Sequence, residues 1–272
     1  METSSTQLGR VTRSEIFQQP RMWLDTLERV EQSRLQMAFP AVITGAGTSF
    51  YAAMAIEAAW PGARAVATTD LLLDFHRYVA PARMVVSIAR SGDSPESAGV
   101  VQSIQHALPE TQHMAITCNA QGKLARIPGV KTLLLHPQTN DRSLVMTSSF
   151  SNLTLAGSLI GRAAEWKDAV APACAGLEQA LPEIDAAAER IAGSTGGRVV
   201  FLASPCLFGA AREAGLKVLE MTAGRVAPLS EAYLGLRHGP MSFLNSEMPR
   251  KILGMNSGKI AKPTTAVHQG TR

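Results

Sequence analysis

Short apolar runs alternate with helical segments along most of this chain, and this alternation limits its possible folds more than any other feature. Each run is brief and rich in aliphatic residues, which is typical of a buried strand. Strands that alternate with helices favour a parallel sheet covered by helices on both faces. We therefore predict an α/β fold, with strands at residues 41–44, 63–69, 84–89, 113–118, 130–135 and 198–203.

The pattern of strand, small-residue loop and Ala-rich helix recurs after residue 197, which indicates a second domain built like the first. This second copy changes character near Asn245–Glu247, and we expect a truncated chain or a changed reading frame there. Composition predicts five segments. These are an N-terminal helical segment (1–37), a first domain (38–165), a helical connector (166–196), a partial second domain (197–245) and a disordered basic tail (246–272).

The positive charge of the chain lies at its end. The formal net charge is +4, yet residues 1–247 hold 21 basic and 22 acidic side chains. A basic tail without a basic stripe on the body does not support nucleic-acid binding.

No apolar run is long enough to cross a membrane, and no signal peptide is visible, so we expect no membrane segment. Three widely spaced cysteines fit a reducing cytoplasm.

The first predicted strand runs into residues 45–49 (GAGTS), which open a helix. Glycines allow close backbone approach, while hydroxyls and free helix N–H groups suit an anion. We interpret Gly47, Thr48 and Ser49 as part of a phosphate or sugar site. A dinucleotide site is one alternative, with Asp70 as the ribose ligand, although Phe50 stands where its fingerprint needs a third glycine. A plain strand-to-helix turn is the other.

A second hydroxyl-rich loop follows the third predicted strand. Ser91, Ser94 and Ser97 surround a glycine at a helix start, where three small hydroxyls can wrap a phosphate dianion. Asp93 or Ser94 could instead serve only as a helix cap. A third hydroxyl cluster includes Thr147 and Ser148, again before an apolar helix. It could complete a ring of neutral donors around a polyhydroxyl ligand, or it could be a solvent-facing cap.

The second half of the chain supplies groups that can move protons. Lys217 and Glu220 lie three residues apart and therefore on one helix face, either as a catalytic pair or as a surface ion pair. Glu231 precedes a Tyr-Leu-Gly loop, and His238 lies in a tight turn with Gly and Pro. A carboxylate and an imidazole suit aldose–ketose chemistry. The remaining histidines form no ligand cluster, so we predict no metal.

Several segments together resemble the sugar isomerase (SIS) superfamily. They are GAGTS, ARSGDSPES, MTSSFS, AAREAGLKVLEMTAGR and LGLRHGP, and the resemblance covers about residues 13–245. More narrowly, they resemble its galactosamine-6-phosphate deaminase/isomerase branch, also called tagatose-6-phosphate ketose/aldose isomerases. Three features depart from the family. Ala89 occupies the place of a phosphate-binding serine in a related synthase, and residues 201–205 contain no glycine, although second domains of the family often have one there. The second domain is also shorter than in family members.

The resemblance implies two SIS domains with flavodoxin-like parallel sheets and flanking helices, the second one incomplete here. It implies that Glu220 is the proton-transfer base, that His238 opens the sugar ring, and that Lys217 and Glu231 assist them. It assigns phosphosugar binding to Gly47, Thr48, Ser49, Ser91, Ser94 and Ser97. We expect no cofactor, because the substrate's own carbonyl or imine can act as the electron sink. In dimers of the family the histidine can come from the neighbouring subunit, so we expect a homodimer or a higher homo-oligomer.

We therefore expect a cytoplasmic enzyme that converts galactosamine 6-phosphate to tagatose 6-phosphate and ammonia through an enolamine. A glucosamine-6-phosphate deaminase or a simple ketose/aldose phosphate isomerase would use the same residues. A non-catalytic phosphosugar-binding protein, or an inactive remnant, is the alternative from another class. The substitution of Glu220 separates these alternatives, because it should abolish turnover and leave binding nearly intact.

Overall fold

The computed structural model describes residues 4–192, 197–244 and 253–255, which form two compact units. The first unit extends to Leu181 and the second begins at Pro182. The dividing point falls inside the predicted connector, of which residues 166–192 belong to one long helix, α7 (Ala163–Ala192). The predicted N-terminal helical segment belongs to the first unit. No helix among the described residues is long and apolar enough to cross a membrane.

The first unit is a five-stranded parallel sheet with helices on both faces. Its strands have the spatial order β2-β1-β3-β4-β5. The strands are β1 (Ala41–Gly45), β2 (Ala63–Ala67), β3 (Met84–Ala89), β4 (Gln112–Thr117) and β5 (Val130–Leu134). Its helices are α1 (Ser4–Phe17), α2 (Gln19–Ser33), α3 (Thr48–Glu57), α4 (Thr68–Val79), α5 (Pro95–Ala107), α6 (Ser148–Leu159) and most of α7. This order is the flavodoxin-like one, and the predicted fold class is confirmed.

Alternate side chains of the central strands contribute to separate hydrophobic clusters on the two faces of the sheet. Ile43 belongs to the core beneath α2, α3 and α6, whereas its neighbour Val42 packs with Leu71 of α4 and Val100 of α5. Strand β1 is buried at every position because helices cover both of its faces, while the edge strand β2 keeps exposed positions. Two-sided burial explains why the central strands read as continuous apolar runs.

The second unit contains a three-stranded parallel sheet of order β7-β6-β8. Its elements are β6 (Arg198–Ala203), α8 (Phe208–Met221), β7 (Ala227–Ala232) and β8 (Leu253–Met255). Helix α8 packs against β6 and β7. We predicted no strand after residue 245, and this is wrong for β8, which pairs with β6. The rest of the predicted basic tail lies outside the described residues.

Candidate active site

The strand order predicts a ligand-binding crevice at the carboxyl ends of β1 and β3. These strands are neighbours in the sheet, and the chain leaves them toward opposite sides, which makes this the point where parallel α/β sheets bind ligands. The loops after β1 and β3 are the two hydroxyl-rich loops that the sequence singled out. The sheet therefore brings both predicted phosphate-binding loops to one edge.

The loop after β1 is tight because two glycines allow it. A Cβ on Gly45 would lie 2.4 Å from the carbonyl carbon of Ser49, and Gly47 adopts a left-handed φ of 56° as the N-cap of α3. Thr48 and Ser49 form the first turn of α3 and are 4% and 6% exposed. Their backbone lies at the crevice, while their side chains are largely covered.

The loop after β3 presents its hydroxyls at the start of α5. Ser94 is the N-cap, and its Oγ accepts a hydrogen bond from the Ser97 amide at 3.1 Å. Its hydroxyl also donates to Ser97 Oγ at 2.9 Å. Ser91, Ser94 and Ser97 are each half-buried, so they keep access to solvent. The cap and the phosphate-binding interpretations therefore apply to the same turn, since both use free N–H groups at a helix start.

Asp93 does not cap α5, although the sequence offered it as a candidate cap. Its two carboxylate oxygens accept hydrogen bonds from the Lys123 amide at 3.2 Å and from Asn119 Nδ2 at 3.4 Å, both in the loop after β4. Sequence reasoning did not find Asn119. The negative charge of Asp93, in the loop predicted to bind phosphate, is therefore hydrogen-bonded to the neighbouring loop.

The third hydroxyl cluster is organised by a carboxylate that the sequence analysis missed. Asp141 is 4% exposed and accepts hydrogen bonds from the amides of Thr147, Ser148 and Ser149 at 3.0, 3.1 and 2.8 Å, and from two of their hydroxyls. Burial raises the pKa of the Asp141 carboxyl above its usual value, against the opposing effect of the Ser149 donors. Thr147 remains half-exposed, whereas Ser148 is fully buried.

The second unit holds three charged side chains on one face of α8. Lys217 Nζ lies 2.8 Å from a carboxylate oxygen of Glu220 and 3.0 Å from one of Glu213. The side chains of Glu213, Lys217 and Glu220 are 5%, 17% and 32% exposed, so Glu220 is the most accessible of the three. The predicted Lys217–Glu220 pair therefore exists, and Glu213 is an additional partner that the i,i+4 spacing could have revealed.

Glu231 lies in β7, an edge strand of the second sheet, and His238 lies in the segment that follows this strand. Glu231 is near the end of β7, and its Oε1 accepts a hydrogen bond from the Ala232 amide at 2.7 Å. His238 is exposed, follows the 3₁₀ turn Gly235–Arg237, and accepts a hydrogen bond from Arg237 Nε at 3.3 Å. Each of these hydrogen bonds joins Glu231 or His238 to the residue next to it in the chain, and the His238 imidazole lies on the surface.

The structure also places Asp70, the ribose ligand of the alternative dinucleotide site, and the side chains that could bind a metal. Asp70 lies on the first turn of α4 and is exposed, three residues after the end of β2. In the parts of the chain that the structure describes, no three His, Cys, Asp or Glu side chains come together as a metal site would require.

Known proteins similar to the chain identify its family. No protein-family profile matches. The AgaS protein of Streptomyces coelicolor is 40% identical over 85% of this chain and 66% of its own length. The D-galactosamine-6-phosphate deaminase AgaS of Shewanella sp. (strain ANA-3) is 35% identical over 89% of this chain and 68% of its own length. The chain thus spans about two thirds of these curated relatives.

A solved structure agrees with these relatives. The crystal structure of tagatose-6-phosphate ketose/aldose isomerase from Escherichia coli is 30% identical, with a TM-score of 0.76. The match covers 91% of this chain and 74% of that one. Sequence identity over most of the chain and agreement in fold support the same conclusion: the chain belongs to the AgaS family of galactosamine-6-phosphate deaminases, within the SIS superfamily.

Proposed function

We propose that the protein is an aminosugar-phosphate deaminase/isomerase that converts galactosamine 6-phosphate and water to tagatose 6-phosphate and ammonia. The observation that carries the proposal is the AgaS family membership, with 34–40% identity over most of the chain. The Lys217–Glu220 pair and the hydroxyl-rich loops at the β1/β3 crevice support it, because the reaction needs a carboxylate base and an anion site.

The phosphate group is bound by the loop after β3. Ser94 Oγ and Ser97 Oγ are 2.9 Å apart, which lets both hydroxyls reach one phosphate oxygen. The Ser91 hydroxyl and the backbone amides at the start of α5 are further uncharged hydrogen-bond donors. Gly47, Thr48 and Ser49 contribute backbone groups from the loop after β1. Thr147 is the accessible member of the third cluster, and Ser148 has less support because it is fully buried.

Proton transfer is assigned to Glu220. After His238 has helped to open the sugar ring, Glu220 takes the proton from C2 and the electron pair forms the enolamine. The same carboxylic acid then returns the proton to C1, which leaves an imine at C2. Water adds to this carbon and ammonia leaves, so that the C2 ketone of tagatose 6-phosphate remains. Lys217, 2.8 Å from Glu220, holds the charge of the base in place. Glu231 supports the His238 segment.

The enzyme acts in the cytoplasm as a homodimer or a higher homo-oligomer, and it needs no cofactor because the substrate's own carbonyl or imine accepts the electrons. Three free thiols, Cys118, Cys174 and Cys206, fit a reducing compartment. Exposed apolar side chains in the second unit, including Leu234 and Met241, fit a surface that is covered in an assembly.

Ammonia release from galactosamine 6-phosphate by the purified chain tests the proposal, with glucosamine 6-phosphate measured alongside. We expect Glu220→Gln to lower kcat by about 100-fold or more, since it removes the proton acceptor. The substrate Kd should remain close to that of the wild type. The matched control is Glu183→Gln, the same change at an exposed position of α7, which should leave the rate unchanged. Loss of activity without loss of affinity would support the assigned base.

A simple ketose/aldose isomerase is a second candidate, favoured by the name of the Escherichia coli structure. Conversion of galactose 6-phosphate to tagatose 6-phosphate, without ammonia release from either aminosugar phosphate, would establish it. Binding of galactosamine 6-phosphate with no turnover of any of these compounds would instead indicate a non-catalytic phosphosugar-binding protein. A preference for glucosamine 6-phosphate would reassign the substrate and leave the roles of the residues unchanged.

A further inference from the structure

The loop after β4 is hydrogen-bonded to the loop after β3, which we propose binds phosphate. Asn119, in the loop after β4, makes two of these hydrogen bonds with its side chain. We propose that Asn119 is a positioning residue, which keeps the Ser91–Ser94 turn in the conformation that binds the phosphate group of the substrate. This inference rests on the proposed function, because it assigns a role toward the same phosphosugar.

Each side-chain polar atom of Asn119 has a partner. Its Nδ2 donates to the Ser91 carbonyl at 3.0 Å and to a carboxylate oxygen of Asp93 at 3.4 Å. Its Oδ1 accepts from the Gln121 amide at 3.0 Å, which orients the side chain. The Asn119 amide donates to Thr117 Oγ1 at the end of β4. The side chain is therefore fixed by its own loop and directed toward the neighbouring one.

Backbone contacts continue this connection along the whole phosphate-binding turn. The amides of Cys118 and Leu124 donate to the carbonyls of Arg90 and Gly92 at 3.1 and 2.9 Å. Ser91 lies between Arg90 and Gly92 in the chain, and its carbonyl accepts the hydrogen bond from Asn119 Nδ2. The two loops are also in close contact, since a Cβ on Gly122 would lie 2.2 Å from the Ser91 oxygen. The turn is thus held at consecutive residues, and Asn119 supplies the side-chain part of this support.

The polarity of these contacts explains why the support matters for an anion. A phosphate dianion is attracted by N–H and O–H donors and repelled by carbonyl and carboxylate oxygens. Asn119 binds the two acceptors in the turn that would oppose the ligand, the Ser91 carbonyl and the Asp93 carboxylate. With these oxygens held by the β4 loop, the Ser97 hydroxyl, whose oxygen accepts from Ser94 Oγ, and the remaining amides at the start of α5 are left as donors for the ligand. Without the Asn119 side chain, the Ser91 carbonyl loses this donor and the Asp93 carboxylate is left with the Lys123 amide, so both acceptors are held less firmly away from the ligand.

The test compares two Asn119 variants with a matched control. Asn119→Ala removes the whole amide, and Asn119→Asp keeps the acceptor for Gln121 while replacing the donor with an acceptor. The control is Gln105→Ala, which removes another amide-to-carbonyl hydrogen bond, the exposed one from Gln105 Nε2 to the Pro128 carbonyl at 2.9 Å. Calorimetric titration with galactosamine 6-phosphate gives the Kd and the stoichiometry separately. A purely structural loss would lower the stoichiometry and leave the Kd of the folded fraction unchanged.

We expect both Asn119 variants to bind about tenfold or more weakly at unchanged stoichiometry, as for the loss of a hydrogen bond that supports a charged ligand. Gln105→Ala should stay within about twofold of the wild type. Wild-type affinity in both Asn119 variants, or equal weakening in Gln105→Ala, would overturn the assignment alone. Absence of binding by the wild-type chain would instead overturn the proposed function, and this inference with it.

Discussion

The substitution Asp141→Asn tests how the start of α6 is held. Asp141 lies outside the helix, in the segment that precedes it, and its carboxylate accepts all of the hydrogen bonds described above from Thr147, Ser148 and Ser149. A helix start has free N–H groups that need acceptors, and here one buried side chain provides them. Asparagine has nearly the same shape, so the substitution removes acceptors while it leaves the packing almost unchanged.

The expected loss of stability follows from the division of donors between the two oxygens. Oδ1 accepts from the Ser148 amide, while Oδ2 accepts from the amides of Thr147 and Ser149. Whichever oxygen becomes NH₂, at least one buried N–H group then faces another donor. A buried donor left without an acceptor lowers the free energy of unfolding by about 1–3 kcal/mol. Removing the buried charge offsets part of this cost, since burial raises the pKa of Asp141. We expect a net loss of about 2 kcal/mol.

Urea unfolding followed by tryptophan fluorescence measures this loss in the right part of the molecule. All three tryptophans, Trp23, Trp60 and Trp166, lie in the first unit, as Asp141 does. The control is Asp74→Asn, the same change at an exposed carboxylate that accepts only the Arg77 amide among the described contacts, at 3.3 Å. It should cost less than about 0.5 kcal/mol. Equal free energies of unfolding for both variants would refute the reasoning.

Two further predictions concern the first unit. Gly45→Ala should destabilise it by about 2 kcal/mol or more, because the new Cβ would clash with the Ser49 backbone, whereas Gly99→Ala, with open space at its Cβ inside α5, should be neutral or slightly stabilising in the same assay. The second concerns His113, which is 4% exposed with no hydrogen-bond partner for either ring nitrogen among the described residues. Burial lowers the pKa of its imidazole below 6.5, so the unfolded chain binds the proton first, and stability should fall as the pH drops below about 6.5. His113→Phe should reduce this loss, by at most about 1.4 kcal/mol per pH unit, and an unchanged pH dependence would contradict the assignment.

The central strands of the first sheet could be predicted from sequence because burial on both faces leaves a simple signal. Strand β3, which is buried at every position, was predicted at its observed bounds, Met84–Ala89. Strand β6 of the second sheet was also predicted at its observed bounds, Arg198–Ala203, from its apolar run alone, since it is only partly buried. Helix ends were harder to place. The third hydroxyl cluster was predicted to precede an apolar helix, but α6 already starts at Ser148, where the Asp141 carboxylate accepts the Ser148 amide. An acceptor seven residues before the amide it binds leaves no periodic pattern.

The residues that support the candidate site were missed for a related reason. Asn119 and Ser91 are 28 residues apart and meet only because β3 and β4 are neighbours in the sheet. Before the strand order is known, nothing in the sequence distinguishes Asn119 from an ordinary loop asparagine. Glu213 is different, since it lies four residues before Lys217 on the same helix and the spacing itself indicates a pair. The hydroxyl-bearing residues were found because they are local to their helix starts.

The arrangement on α8 decides which substitution can isolate the chemistry. Lys217 lies between two carboxylates, of which Glu213 is nearly buried and Glu220 is partly exposed. Removing the ammonium would leave Glu213 without the cation at 3.0 Å, and breaking a buried ion pair is strongly destabilising. A Lys217 variant would therefore mix a catalytic effect with a loss of fold. Changing Glu220 keeps the Lys217–Glu213 pair intact, so a loss of turnover in Glu220→Gln would support the proton-acceptor role that we propose for Glu220.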